Sequence, residues 1–235
     1  MKPIDVQKKL PPAASVLDVG CCDFKQWQLS QSLQRGDLKH AGVDYCQPDK
    51  CPPDFSFRLV DLNRERMPFD DDSFDLVVAS HVIEHLEKPV DFFADCLRVC
   101  KPGGFVYVEC PSERTLMLPG FPFEHDKFYS TSFFDDPTHL GRPFSPQSFV
   151  RLARYHGCMP VAAGYNISWM CRLLFPLAVL VALFFRKGWL LEQNIWNSIG
   201  WASFIMLEKP REWRGQPPLN YGSGKNPSDM IDLAA

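Results

Sequence analysis

The sequence has no excess of basic residues. It contains 25 Lys and Arg against 28 Asp and Glu, which leaves a formal net charge of -3. Proteins that bind nucleic acid through its phosphates need a basic face, and this charge balance gives no sign of one. We therefore predict that nucleic acid is not a partner.

Apolar runs long enough to cross a bilayer are also missing. The run from Leu173 to Phe185 contains Pro176 and is followed by Arg186 and Lys187. A spanning helix needs about 20 apolar residues, whereas runs of about 10 to 14 are more typical of buried or interfacial helices. Two interpretations stay open: a helix that covers the sheet or forms a homodimer contact, and an element that lies in a bilayer surface. In the second, tryptophans beside the run would anchor it at the interface, namely Trp169, Trp189 and Trp196.

Cysteine spacing excludes two further classes. The 9 cysteines are an odd number and lack the regular spacing of a secreted disulfide framework. They also lack the C-x-x-C pairs of a structural zinc site, so we predict no metal, although Asp135, Asp136 and His139 carry donor atoms for a divalent ion. Met1 to Leu10 has no apolar stretch, so we expect no secretory signal. The predicted location is cytoplasmic, at the inner membrane surface if residues 173–185 contact a bilayer.

What the sequence does contain is an alternation of apolar strands and amphipathic helices. Near-continuous apolar runs are typical of central parallel strands, and we predict an α/β fold that is Rossmann-like and doubly wound. Its mostly parallel seven-stranded sheet would have helices on both faces. The predicted strands are 16–20, 41–44, 57–60, 74–79, 105–110, 159–167 and 201–208. The predicted helices are 26–34, with an inner face of Trp27, Leu29 and Leu33, then 90–100, stopped by Pro102 to Gly104, and 145–157.

The domain organisation follows from where this alternation breaks down. Residues 1–210 are predicted to form a single domain. It carries a loop insertion at 111–144 and an apolar helical insertion at 169–200. Residues 211–235 are rich in Pro, Gly and Ser, so we expect a flexible tail there.

Two predicted strands end in a carboxylate. Asp18 and Gly20 close the first strand, Val16 to Gly20, and Asp44 ends the second after roughly 20 residues or a little more, the interval of one βα unit. Doubly wound sheets bind nucleotide-type cofactors at the carboxyl ends of such strands.

These strand ends, in their order and spacing, resemble the class I S-adenosylmethionine-dependent methyltransferases. The motifs that carry the resemblance are Val16 to Cys21, Gly42 to Asp44, Asp61-Leu62, Met67 to Val77, His81 to Leu86 and Leu97 to Gly104. The resemblance implies that S-adenosylmethionine is the cofactor. Asp44 would accept the ribose hydroxyls, Asp61 and Leu62 would contact the adenine, and Asp18 and Gly20 would frame the methionine part. Ser80 and His81 would face its sulfur end and the acceptor, although for His81 and His85 packing roles stay open.

The first loop departs from this family. It reads Gly20-Cys21-Cys22-Asp23-Phe24, where the family commonly has glycines at the positions of Cys22 and Phe24. If the backbone has a positive φ there, Cys and Phe carry a steric cost that glycine avoids. A non-catalytic protein of the same fold therefore remains an alternative. The loop also lacks the Gly-x-Gly-x-x-Gly turn of a nicotinamide dehydrogenase.

A second segment points to the acceptor. Asp135 to Ser145, with its Asp-Pro-Thr-His sequence, resembles a segment of family members that modify sugars and glycans. A neutral histidine is a suitable general base for a hydroxyl, so His139 is the predicted catalytic base, with Asp136 orienting its ring or sharing the acceptor. The predicted substrate contacts are Arg142, His125, Tyr129 and His85.

The predicted function is therefore methyl transfer from S-adenosylmethionine to oxygen. The acceptor would be a sugar, a glycan or a lipid-linked molecule. A small apolar acceptor, such as a quinone or a phenol, is the alternative enzymatic function.

Overall fold

Seven strands form one sheet in the computed structural model, which describes residues 1–118, 132–213 and residue 215. The strand order is β3-β2-β1-β4-β5-β7-β6; the first five strands are parallel, and β7 runs antiparallel to β5 and β6. The predicted fold class is confirmed. The strands are β1 Ser15–Val19, β2 Lys39–Asp44, β3 Phe55–Leu59, β4 Phe74–Ser80, β5 Cys100–Pro111, β6 Pro160–Tyr165 and β7 Ala202–Glu208.

Helices flank the sheet on both faces. Those of the described residues are α1 Pro3–Gln7, α2 Lys25–Ser32, α3 Pro89–Val99, α4 Pro146–Tyr155, α5 Trp169–Phe184 and α6 Gly188–Ile199. Short 3-10 helices occur at Ile83–His85, Glu113–Met117 and Phe133–Asp135. The predicted start of α4 is confirmed, because the Ser145 hydroxyl accepts a hydrogen bond from the Ser148 amide at 3.0 Å and Pro146 occupies the first turn.

The sheet has a separate hydrophobic core on each face. Successive residues of β1 alternate between them: Val16 packs in the cluster that contains Val6 of α1, and Leu17 in the cluster that contains Phe93 of α3 and Phe149 of α4. All residues of β1 from Val16 to Val19 are buried, as expected for a strand covered on both faces.

The predicted inner face of α2 is wrong. Trp27, Leu29 and Leu33 are only half-buried, whereas Gln26 and Ser30 are buried. Gln7 donates to Gln26 at 2.9 Å and accepts from the Ser30 hydroxyl at 2.8 Å, which also lies 2.8 Å from His40 Nε2. A buried polar side chain is tolerated when such partners satisfy it, so the apolar period of α2 did not indicate its packing face.

The boundary after α3 also differs from the prediction. The helix ends at Val99, before Pro102 to Gly104 is reached. Those three residues belong to β5 and do not form a turn between the helix and the strand. Gly103 has a φ of +78° and donates to the Lys209 carbonyl at 2.8 Å, while the Lys209 amide donates back to Gly104 at 2.8 Å. Glycine makes this left-handed position available to a strand.

The apolar insertion is a hairpin of two helices, α5 and α6. The expectation that it covers the sheet is wrong, because α5 packs on α6 and Ala182 is its one buried residue. At about 1.5 Å of rise per residue, the 16 residues of α5 fall short of the roughly 30 Å hydrocarbon thickness of a bilayer. Across the described part of the chain, no helix has the length and apolar character needed to span a membrane.

Candidate functional site

The carboxyl ends of β1, β2 and β4 meet at one edge of the sheet. β1 lies between β2 and β4, with Val19 opposite Val43 on one side and Ala79 on the other. The chain leaves β1 toward one flank and later returns to the other, so this edge is the topological switch point where doubly wound sheets bind ligands.

Asp44 is held rigidly at this edge. Its carboxylate is buried, and it accepts hydrogen bonds from the Cys46 amide at 3.0 Å on Oδ1 and from the Cys22 amide at 3.2 Å on Oδ2. Each carboxylate oxygen has room for a second donor. A pair of hydroxyls on a ligand would therefore meet two fixed acceptors.

Gly20 shapes the floor of the same edge. Its φ is +76°, and a Cβ added there would lie 2.6 Å from Val82 Cγ2. Both the left-handed backbone and this close approach exclude a side chain. The loop after β1 thus passes directly beneath Val82, which follows β4.

Phe24 confirms the strain predicted for this loop. Its φ of +50° and ψ of +35° are left-handed, whereas Cys22 does not have a positive φ. The Phe24 ring packs edge-on against Phe55, with 4.9 Å between ring centroids. An aromatic contact therefore accompanies a backbone cost of about 1–2 kcal/mol that glycine would avoid.

Asp18 is a buried carboxyl beside this loop. It accepts a hydrogen bond from the Gln26 amide at 3.2 Å, yet burial raises its pKa to about 7. A nearby cationic group on a ligand would favour the ionised form. The position therefore suits a ligand that carries positive charge.

The predicted adenine contacts lie next to the end of β3. Asp61 is half-buried; its carboxylate accepts from the Asn63 amide at 3.0 Å and lies 3.2 Å from Arg64 Nε. Leu62 is half-buried as well. Sequence reasoning missed Tyr45, which is 78% exposed directly after Asp44 and offers an aromatic face at the same edge.

His81 connects this edge to a second group of polar residues. It follows β4 with a φ of +58°, Nδ1 lies 3.3 Å from Glu84 Oε1, and Nε2 lies 3.4 Å from Glu109 Oε1. Burial acts to lower the pKa of His81, but the two carboxylates outweigh it and raise the pKa to about 9. His81 is thus a cationic donor at neutral pH. Ser80, the other predicted contact here, is half-buried at the end of β4.

Glu109 is a half-buried acid that sequence reasoning missed. Tyr107 and Asn166 both donate hydrogen bonds to its Oε2. Burial opposes its ionisation, but His81, Tyr107 and Asn166 together hold its pKa below the usual range. The one feature of the sequence that could have identified Glu109 was its position in the apolar second half of β5.

The segment 132–145 folds back onto the residues after β4. The amides of Leu140 and Gly141 donate to the Glu84 carbonyl at 3.0 and 3.3 Å. This places His139 next to His85, with 4.8 Å between ring centroids. Two of the predicted site histidines, 54 residues apart in the sequence, therefore lie side by side.

Asp136 lies beside His139 but does not orient its ring. His139 Nδ1 donates to the Phe133 carbonyl at 2.6 Å, and Asp136 Oδ2 lies 3.9 Å from Nε2 on the other side of the ring. The second predicted role of Asp136, sharing the acceptor, remains a prediction. Its other oxygen accepts from the Thr138 hydroxyl at 2.6 Å.

The remaining predicted substrate contacts are less informative. Arg142 is exposed, and its guanidinium lies 5.7 Å from the centre of the Phe144 ring. His125 and Tyr129 lie outside the described residues.

Comparison with known proteins agrees with this geometry. The sequence model of a family described as "Methyltransferase domain" matches residues 17–108. A probable S-adenosylmethionine-dependent methyltransferase of Mycolicibacterium smegmatis is 32% identical over 108 residues, which are 45% of this chain and 40% of that protein. Residues 17–108 are thus similar to a methyltransferase domain, and the relative with this similarity is named as an S-adenosylmethionine-dependent enzyme.

Other relatives of this chain are similar over shorter segments. The phthiotriol/phenolphthiotriol dimycocerosates methyltransferase of Mycobacterium tuberculosis is 39% identical over 72 residues, 29% of this chain and 25% of that protein. The chain thus matches less than half the length of these curated relatives.

Solved structures show the same fold. A methyltransferase from Archaeoglobus fulgidus aligns with a TM-score of 0.56 at 19% identity, covering 88% of this chain and 95% of that one. A Burkholderia thailandensis 1,6-didemethyltoxoflavin N1-methyltransferase with bound S-adenosylhomocysteine aligns at 0.54 and 13% identity, over 88% and 78%.

The residues at the sheet edge fit S-adenosylmethionine, the cofactor of the methyltransferases that the chain resembles. Asp44 offers two fixed acceptors for ribose hydroxyls, and Gly20 allows the loop to pass close beneath Val82. The buried Asp18 carboxyl suits the positive charge of the methionine part.

Proposed function

We propose that this methyltransferase transfers a methyl group to a hydroxyl of a sugar or glycan acceptor that is linked to a lipid. The observation that carries the proposal is an exposed apolar surface on α5, α6 and their connecting turn. We call it the hairpin surface, and it consists of Trp169, Met170, Leu173, Leu177, Leu180, Phe184, Phe185 and Trp189.

The hairpin surface has the character of a membrane-contacting element. Leu173 is 81% exposed and Phe184 is 83% exposed, and their neighbours extend the apolar area along the helix. Large contiguous apolar patches on soluble proteins mark interaction sites. Residues 169–187 include three cations, Arg172, Arg186 and Lys187, and no Asp or Glu. Tryptophans and cations beside a short apolar helix suit the interface of an anionic bilayer.

Aromatic side chains connect the hairpin to the site. Trp196 of α6 stacks on Trp201 at 4.7 Å between ring centroids, and Trp201 lies 5.7 Å from the His81 ring. Arg114 also donates to the Ile199 carbonyl at 2.6 Å. A lipid-linked acceptor held at the hairpin would therefore have its polar end near His81.

His139 is the residue best arranged to remove the acceptor proton. Its Nδ1 must carry hydrogen because its partner, the Phe133 carbonyl, only accepts. Nε2 consequently presents a lone pair, the form that a general base requires. S-adenosylmethionine, when bound, supplies an electrophilic methyl group on a sulfonium sulfur.

Two observations support this choice of acceptor. The 135–145 segment resembles that of sugar-modifying family members, and a relative is named for phthiotriol and phenolphthiotriol dimycocerosates. A small apolar acceptor, such as a quinone, would use the hairpin as a pocket wall instead of a membrane contact. A non-catalytic role would instead rest on Cys22 and Phe24, but the polar groups around Asp44 fit a cofactor.

Vesicle flotation of the full chain tests the membrane contact. We expect binding to vesicles that contain anionic lipid, and the double variant Leu173→Ser/Phe184→Ser to bind at least about tenfold more weakly, because burying each side chain is worth about 1.5–3 kcal/mol. Leu59→Ser is the matched control, since Leu59 is an exposed leucine of β3 outside the hairpin. Absence of vesicle binding, or equal losses in both variants, would refute the membrane contact. Dimerisation that the double variant abolishes would instead identify a second copy as the occupant.

An acceptor screen tests the activity. Transfer of labelled methyl groups to lipid-linked glycans, but not to the same glycans without lipid, is the expected result. Preference for quinones or phenols would support the alternative acceptor, and no cofactor binding by the folded protein would contradict the enzymatic function itself.

A further inference from the structure

We propose that Glu84, His85 and His139 form a binding site for a divalent transition-metal ion. One carboxylate oxygen of Glu84 and one ring nitrogen of each histidine all lie within 4.8 Å of one another. With metal–ligand distances of about 2.0–2.2 Å, two ligands of one tetrahedral ion lie roughly 3.3–3.6 Å apart, so side-chain rotations that bring these atoms about 1 Å closer would complete the site.

The Glu84 carboxylate is the first reason to expect a cation. The side chain is 1% exposed, and neither oxygen has a hydrogen-bond partner among the residues that the structure describes. Oε1 lies 3.3 Å from His81 Nδ1, close enough for an ion pair but without hydrogen-bond geometry. A buried carboxylate without hydrogen bonds is strongly unfavourable, and buried charges are normally paired or bound to metals. His81 compensates for part of the charge on one oxygen only.

The histidine tautomers are the second reason. His85 Nδ1 lies 3.2 Å from the Thr138 carbonyl and 3.0 Å from its hydroxyl, whose own hydrogen is directed at Asp136. Both partners therefore accept, so His85 Nδ1 carries the hydrogen, as does His139 Nδ1 beside the Phe133 carbonyl. Each ring consequently presents the Nε2 lone pair. Metal-bound histidines commonly donate the other ring N–H to a carbonyl or carboxylate in this way.

The fold holds the three ligands together independently of a metal. The Glu84 carbonyl accepts the amides of Leu140 and Gly141, which fixes His139 against the 3-10 helix that contains Glu84 and His85. The sequence analysis predicted no metal and noted donor atoms on a different set, Asp135, Asp136 and His139. Asp135 instead accepts from the Ser132 amide at 2.8 Å, and Asp136 binds Thr138 behind His85.

The donor set indicates which ions would bind. Imidazole nitrogens suit zinc, iron, copper and nickel, whereas magnesium and calcium prefer oxygen ligands alone. Three protein ligands leave coordination positions open, as in catalytic metal sites. Their use by an acceptor oxygen rests on the proposed function, whereas metal binding itself does not. A bound ion would make His139 a ligand instead of the general base.

Calorimetric titration of the chelator-treated full chain with Zn²⁺, Co²⁺ or Mn²⁺ tests the site. We expect saturable binding of one ion per chain, and at least tenfold weaker binding by Glu84→Gln and by His139→Gln. Asp135→Asn is the matched control, because it removes a carboxylate of the same segment outside the cluster and its amide oxygen still accepts from Ser132. No saturable binding by the folded wild type, or equal affinity in all variants, would overturn the proposal.

Nuclear magnetic resonance of the wild type avoids dependence on the folding of the Glu84 variant. Substoichiometric Ni²⁺, which is paramagnetic, is expected to broaden the ring signals of His85 and His139 but not those of His40 and His156. Uniform broadening, or none, would contradict the site. S-adenosylmethionine binding is titrated in the same preparation. Metal binding without cofactor binding would support the metal site and contradict the proposed function. Cofactor binding without metal binding would contradict the metal site and leave the proposed function standing.

Discussion

The proposed cofactor region and the proposed acceptor region of this protein differ in how completely the chain satisfies its own polar groups. Around Asp44, both carboxylate oxygens accept backbone amides. Around Glu84, two buried oxygens lack hydrogen bonds among the described residues, and the nearby hairpin exposes its apolar side chains. The cofactor region is therefore complete within the fold, whereas the acceptor region presents groups that a ligand, an ion or a membrane would satisfy.

The largest expected effect separates chemistry from cofactor binding. His139→Gln removes the proposed base, so kcat should fall by about 10²–10⁴-fold while the Kd for S-adenosylmethionine stays within a factor of about two. Steady-state kinetics and calorimetry measure the two quantities on one preparation. A parallel loss of cofactor affinity would show that the two regions are not independent.

Asp44 tests the cofactor region in the same way. Asp44→Ala should weaken S-adenosylmethionine binding by about 100-fold, because two hydrogen bonds to a charged group are lost at about 1.5–3 kcal/mol each before compensation by water. Asp61→Ala is the matched comparison, since the side chain of Asp61 is 45% exposed and its contact is weaker. Calorimetry should show a smaller loss for Asp61→Ala; equal losses would contradict the assignment of Asp44.

An added methyl group should destabilise the packing at Gly42, beneath the cofactor region, more than the packing at Gly164, in the edge strand β6 on the acceptor side. A Cβ at Gly42 would lie 2.5 Å from Cys21 Sγ and 2.7 Å from Phe55 Cζ, whereas one at Gly164 in β6 would meet Phe204 at 3.6 Å, an ordinary contact. Gly42→Ala should destabilise the fold by about 1–3 kcal/mol, and Gly164→Ala by much less. Urea unfolding measures both, and similar values for the two variants would contradict the comparison.

The smallest expected effect concerns the pH dependence of stability. Burial lowers the pKa of His40 from 6.5 to about 4, so the unfolded chain binds more protons than the native chain between these values. This contribution to stability is therefore fully present well above pH 6.5 and falls as the pH decreases, by about 1 kcal/mol near pH 6.

Urea unfolding of His40→Gln at several pH values checks this sign. The variant should lose part of the pH dependence between pH 6.5 and 4. Some will remain, because burial also lowers the pKa of His156. An unchanged slope would show that His40 titrates alike in both states.

Sequence patterns predicted which strand ends meet at one edge of the sheet, for a local reason. Asp18, Gly20 and Asp44 lie at the ends of strands whose apolar runs are continuous, and parallel pairing brings such ends to one edge. The positive φ at Phe24 was predictable because the resembled family commonly has glycine there. The packing face of α2 was not, since its buried residues are polar and are satisfied by Gln7 and His40, which lie on other elements.

The acceptor region was harder to predict because its residues come from distant segments. His139 was identified from its residue type, but its partner carbonyl and its contact with His85 depend on the docking of one loop on another. The sequence around Glu84 and Glu109 shows a charged residue among apolar neighbours, and it does not indicate which residues each glutamate contacts.

The sequence by itself determined the doubly wound sheet and the edge at which its carboxylate-bearing strands end, because strand periodicity and strand-end residues are local properties. Only the tertiary structure decided that α5 leaves its apolar face exposed and that Glu84, His85 and His139 lie side by side. Exposure and proximity between distant residues depend on which surfaces other elements cover, and no local pattern encodes that.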